Sequence, residues 1–292
     1  MEGAKMKNII IVILLLLNAF LLFLVGGRWF EDSHSHEAAR NSAIQVIRDS
    51  GVVLEDSAVP REMSLNAMQA QRDLAQENSL ASGLLGSEMT VEALGGDVYR
   101  YTSDRGWIQF HSSGEFIAEF EPGVFRATGE TARHAAGVLE ILGFDSQVLE
   151  DKTADGTGSI SLRQQLGDIP LLGCQATVHY RDGSLVSMTQ GRRLLGEPYQ
   201  TDGEEAMSVA TALMRLYNGM KELGDIYTRI ESIIPAYTMS VSLSGPARLT
   251  PVWYVKTDTG AYQMDTRTGQ ISRAGGVGAA AALTDTAAEE AD

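Results

Sequence analysis

The sequence predicts an α+β protein: an N-terminal transmembrane helix followed by repeated modules, each of one helix packed on an antiparallel β-sheet. Three observations carry this. Residues 9–25 are apolar without interruption except at Asn18. Beyond them, stretches with a helical apolar period give way to runs of alternating β-branched and aromatic residues divided by Gly and Asp turns. That helix-then-strands order is written three times, the pattern of helices laid on one face of an antiparallel sheet.

The anchor comes first. Residues 1–8 form a cytoplasmic N-terminus, and residues 9–27 are just long enough to cross a hydrocarbon core as a helix. Lys5 and Lys7 precede the run, whereas Arg28, Glu31 and Asp32 follow it, so the positive-inside bias places the bulk of the chain outside the cell membrane. Trp29 and Phe30 fall where interfacial aromatics belong. The competing reading is a cleaved export signal, but no small-x-small site follows the run. Asn18 is the odd residue. Its amide needs a partner in lipid, either a second transmembrane helix or its own backbone.

Residues 28–60 read as a juxtamembrane helix and linker, with Ala38, Ala39, Ser42, Ala43, Val46 and Ile47 making a weakly apolar stripe. The first module, 61–125, has a helix over 61–85 stopped by Gly86, then strands near 89–94, 98–102, 107–110 and 116–120. The second, 126–196, has a helix over 128–142 and strands near 147–151, 159–166, 174–180 and 185–191, with Asp182-Gly183 as a hairpin turn. The third, 197–274, has the clearest amphipathic helix, over 202–223, carrying Val209, Leu213, Leu216 and Met220. Its strands lie at 225–244, broken by Pro235, and at 252–257, 261–265 and 270–272. Residues 275–292 are Gly, Ala, Thr, Asp and Glu with little to bury, a disordered acidic tail.

The net charge of −15 argues against nucleic acid and against docking on an anionic membrane surface. A single cysteine, Cys174, excludes an internal disulfide framework. No nucleophile elbow, zinc-protease helix, phosphate loop or dinucleotide fingerprint is present. His34, His36, His111, His134 and His179 are scattered, and Cys174 reads as a small core residue. The expectation is therefore no enzyme, no cofactor and no metal.

Three stretches carry a resemblance: KNIIIVILLLLNAFLL at 7–22, LTPVWYVKTDTGAY at 249–262 and MDTRTGQI at 264–271. Together they resemble the YycH/YycI group, in a clostridial YycI-like form. The closing hairpin and the helix-then-strands units also resemble PepSY-type extracytoplasmic modules. The similarity covers the anchor and the last two units. It departs from the group in the acidic-alanine tail and the extra N-terminal unit.

The resemblance implies a non-enzymatic regulator of a WalK/WalR-like two-component system in Gram-positive bacteria. Its partners would be a sensor histidine kinase, a paired YycH-like protein and the lipid bilayer. Partner contacts would fall on Asn18, Trp29, Pro251 and Trp253. For Pro251 and Trp253 the alternatives are a strand edge and a core ring. Residues 265–269 read first as a tight turn. The other function class is a PepSY-like tethered module that binds a peptide or cell-wall ligand, or inhibits an exported enzyme. An aromatic cluster of Tyr99, Tyr101, Trp107 and Phe110 on one sheet face would favour it, although these rings also suit a core. Exposed strand edges permit a homodimer by sheet pairing.

Overall fold

The computed structural model describes residues 35–62, 65–201, 206–242 and 245–274. The predicted anchor and tail lie outside them. Among the described residues no helix is long and apolar enough to cross a membrane.

The first helix-then-strands unit runs α2 (Leu74–Leu85), β3 (Thr90–Gly95), β4 (Val98–Ser103), β5 (Gly106–Phe110) and β6 (Glu115–Phe120). The helix is shorter than the expected 61–85 because Asp73 begins it: its carboxylate accepts from the backbone N–H of Ala75 and Gln76 at 2.8 and 3.1 Å. Upstream, Met68–Ala70 forms a strand, β2, instead. The β3–β4 hairpin turns through Gly96 and Asp97, both at positive φ, as a tight two-residue turn requires. A short β7 (Phe125–Arg126) leads to the second unit: α3 (Thr131–Ile141), β8 (Ser146–Asp151), β9 (Gly158–Leu166), β10 (Ile169–Arg181) and β11 (Ser184–Arg192).

The two units join where β6 pairs antiparallel with β11. The sheet then reads β3-β4-β5-β6-β11-β10-β9-β8, antiparallel throughout, with the first strand of each unit at an outer edge. α2 and α3 cover one face and share one core with it, centred on Phe110, Phe116, Leu139 and Phe144. Phe116 meets Phe144 edge to face, with ring centroids 6.3 Å apart. That ring needs room at the seam. A Cβ on Gly191 would lie 2.6 Å from the Phe116 carbonyl oxygen and 2.7 Å from its ring. Gly191→Ala therefore forces the seam apart and is expected to destabilise the fold by about 1–3 kcal/mol in urea unfolding.

The third unit follows β12 (Pro198–Gln200): α4 (Val209–Glu222), β13 (Arg229–Ser240), β14 (Ala247–Thr257), β15 (Ala261–Asp265) and β16 (Ile271–Arg273). Ser208 caps α4 by accepting from the Thr211 N–H. A second helix packs beside α4: α1, residues 35–49. Ala43, Ile44 and Ile47 of α1 enter the same core as Leu213, Leu216, Met220 and Trp253. The buried stripe is thus rotated from the expected one. Ala38, Ala39, Ser42 and Val46 are exposed, and Arg40, not an apolar residue, completes the inner face. The short β1 (Val53–Leu54) then pairs parallel with β13.

β10 fuses the two halves. Leu171 and Leu172 pair parallel with Tyr237 and Thr238 of β13. Past Gly173, at φ +81°, the same strand runs antiparallel between β9 and β11. A third core, with Leu171, Cys174, Leu195, Tyr237 and Leu249, seals this crossing. On β9, Arg163 alternates with core-facing Leu162 and sits over the Tyr254 ring, at 5.5 Å; Tyr254 in turn alternates with core-facing Trp253 and Val255. The helix-free faces of the two halves therefore run into one another. The result is α+β, with helices packed on a mostly antiparallel sheet.

Candidate functional site

Two of the predicted contact residues, Asn18 and Trp29, lie outside the described residues. The other two are interior. Trp253 is 1% exposed in the core under α1 and α4, the core-ring position. Pro251 is buried in β14 where its neighbour changes from β2 to β15, so the missing N–H leaves no ladder bond broken. Its carbonyl accepts from the Thr266 N–H and hydroxyl at 3.2 and 3.1 Å. Asp265 accepts from the N–H of Arg267 and Thr268, and Gly269 takes φ +76°: residues 265–269 form the tight turn.

The aromatic cluster divides between the two faces. Tyr101 and Phe110 are core residues with Tyr99 packed against them. Trp107 alone turns to the helix-free face. There the Arg100 guanidinium lies 4.5 Å from its ring centroid and donates to Gln109 Oε1, and Gln109 Nε2 meets His111 Nε2 at 2.9 Å. The indole N–H donates to Glu119 at 3.3 Å. The same face carries His179, bonded to Thr189 at 2.7 Å. These groups are mutually satisfied and present a polar, solvated sheet surface.

No catalytic set is assembled from them. Among the described residues no group of three His, Cys, Asp or Glu could hold a metal ion. Burial pushes the Cys174 thiol up to about 12, so it stays protonated against Met239. His134 on α3 bonds Tyr180 through Nδ1 at 2.7 Å, and burial pulls its pKa below the ordinary 6.5. The unfolded chain thus binds the proton more readily than the folded one. The stability this gives is present above pH 6.5 and is lost as pH falls through the folded value. Urea midpoints measured between pH 8 and 5 should fall less steeply in His134→Gln than in the parent.

A cleft of about 990 Å³ lies at the N-terminal ends of α1 and α4, bordered by His36, Glu37, Asp56, Arg61 and Met207. Arg40 closes its floor. Its guanidinium donates to the carbonyls of Asp56, Val59 and Pro60 at 2.6, 2.8 and 3.3 Å, so its charge is spent on holding that loop to α1. A shallower groove of about 560 Å³ continues between the helices, lined by Ala39, Val46, Ala210 and Met214. Sequence periodicity missed this cleft because it needs α1 and α4 side by side, far apart along the chain.

Comparison with known proteins bears on β8–β11. Residues 147–190 match the Fungalysin/Thermolysin Propeptide Motif. This stretch, β8–β11, is thus similar to propeptide-type modules of the PepSY/FTP kind. Among solved structures, an uncharacterized protein from Eubacterium rectale is similar at 13% identity and TM-score 0.43, over 73% of this chain and 86% of that one. The Bacillus megaterium YpeB C-terminal domain is similar at 10% identity and TM-score 0.37, over 71% of this chain and 100% of that one. A comparison with curated proteins gives no match. None of these similarities names the YycH/YycI group.

Proposed function

We propose that the protein is a non-enzymatic, membrane-tethered module that binds and restrains an exported enzyme of the peptidase kind, through propeptide-type units held outside the membrane. The observation that carries this reading is the propeptide-motif match over β8–β11. Its unit is rigidly seated, sharing one sheet and one core with a neighbour of the same helix-then-meander order. Propeptide-type modules act by contact, which suits a chain whose polar groups pair with one another rather than converge on a reacting centre. The test is to add the full-length chain, in lipid nanodiscs, to a thermolysin-type metalloprotease and follow peptide hydrolysis. A saturable slowing near stoichiometric amounts is expected. Unchanged hydrolysis, with no complex by gel filtration, would overturn the reading.

A second reading is regulation of a WalK-like sensor histidine kinase, with a YycH-like protein as co-partner. One observation favours it. α1, which follows the predicted anchor, is built into the core of the C-terminal unit rather than hanging on a flexible tether. A partner-induced tilt of the anchor would then reach the outer domain as a change in packing. A photo-crosslinker at Asn18 separates the two readings: a captured histidine kinase supports regulation, and capture of an exported enzyme from an outer-domain probe supports restraint.

A further inference from the structure

β3 ends the strand path, with β4 on one side and no described strand on the other. All six of its residues are exposed. Alternate residues of such a strand send N–H and C=O groups outward, where another extended chain can accept them. The other free edges are blunted. β12 has three residues and begins at Pro198, β16 has three, and β8 is interrupted by a bulge between Val148 and Glu150. β3 pairs in unbroken register from Thr90 to Ala93, and its register shifts only at its end, between Ala93 and Gly95.

Its two faces differ in chemistry. On the helix side, Val91 lies opposite Tyr101 and Ala93 opposite Tyr99, so the core reaches the edge and stops there unfinished. Val91 is 52% exposed. On the helix-free side, Glu92 lies opposite Arg100, whose guanidinium is already committed to Gln109 and Trp107. Glu88, Glu92 and Asp97 form no salt bridge among the described residues. A second copy paired on this edge would set these carboxylates near their own counterparts, which is repulsive. A cationic strand would neutralise them.

From this we infer that β3 is a docking edge for an extended segment of a partner protein in which cationic and apolar residues alternate. The apolar side chains continue the core over Val91 and Ala93, and the cationic ones lie beside Glu92. This assignment goes beyond the proposed restraint of an exported enzyme and does not depend on it.

The test uses the full-length chain in nanodiscs of zwitterionic lipid and a short fluorescent peptide of alternating lysine and valine. Saturable binding is expected, with new hydrogen-exchange protection at residues 90–95. Glu92→Lys should weaken it by about tenfold or more. N-methylation of alternate peptide residues should abolish binding for one of the two sets and spare the other, because only one peptide edge faces β3. Equal binding by both N-methylated sets would overturn the assignment by showing charge attraction without strand pairing, and an unaffected Glu92→Lys chain would overturn it by showing that Glu92 does not select a cationic partner. Disulfide-linked dimers of Ala93→Cys chains without peptide would also overturn it, making a second copy the occupant. Glu92→Lys is expected to leave protease restraint intact, so the two readings fail separately.

Discussion

Glu77→Ala should be among the most damaging single changes in the protein, lowering its stability by about 3–5 kcal/mol. Glu77 is 1% exposed and accepts two bonds from Arg72, each 2.9 Å, in a forked pair. A second guanidinium lies close by. Arg193 is 3% exposed, rests 5.3 Å from the Phe110 ring centroid, and reaches the Leu142 carbonyl at 3.5 Å, where α3 ends. Its Nε has no hydrogen-bond partner. Burial and Arg72 pull the Arg193 pKa down, and Glu77 holds it up. Glu77 is therefore the anion that makes two interior cations tolerable. Without it, the buried Arg193 and the partly exposed Arg72 would lose the anion that attracts both.

The consequence extends past stability. Arg72 also donates to the Asp97 carbonyl at 2.7 Å, tying the β3–β4 turn to the start of α2. Glu77→Ala should loosen that hairpin and, with it, the β3 edge. Arg193→Met replaces a buried charge by an apolar chain of similar length and is expected to be neutral or mildly stabilising. In the double variant Glu77→Gln, Arg193→Met, the loss should be smaller than the sum of the singles by about 1 kcal/mol or more. Strict additivity in urea unfolding would show that the three groups do not act as a unit.

This triad illustrates what a linear reading does and does not reach. The helix-then-meander order was legible because each step leaves a local mark: the apolar period of α4, the Gly and Asp of the β3–β4 turn, the alternation along β6. Trp253 and the 265–269 turn were legible for the same reason. Residues 61–73 were not, because helix-forming residues there are overruled by pairing of Met68–Ala70 with both β12 and β14, a contact made across most of the chain. Glu77 and Arg193 look like surface charges in any window. Only the closure of α2 and α3 over one core puts them inside. The same holds for Arg40, which reads as polar but lies on the inner face of α1.

α1 raises the largest question of linkage, and its test is Ile47→Ala, expected to cost about 2–5 kcal/mol. Ile47 and Ile44 are 0% and 1% exposed, packed with Leu213, Leu216 and Met220 of α4 and with Trp253. That core is distinct from the one under α2 and α3. The loss should therefore be regional. Amides of α4 and β13 should exchange faster in the variant, while those of β4 and β5 keep their parental protection. Val46, 47% exposed on the outer side of the same helix, supplies the control: Val46→Ala should change stability by no more than about 0.5 kcal/mol. If Ile47→Ala behaved like Val46→Ala, α1 would be only loosely attached to the C-terminal unit. If it destabilises α4 and β13 as expected, a displacement of α1 must be felt first in the C-terminal unit. The Leu171–Tyr237 pairing through β10 then carries it to the propeptide-type strands. α1 and the matched strands would then be linked through β10, a coupling that either proposed reading would use.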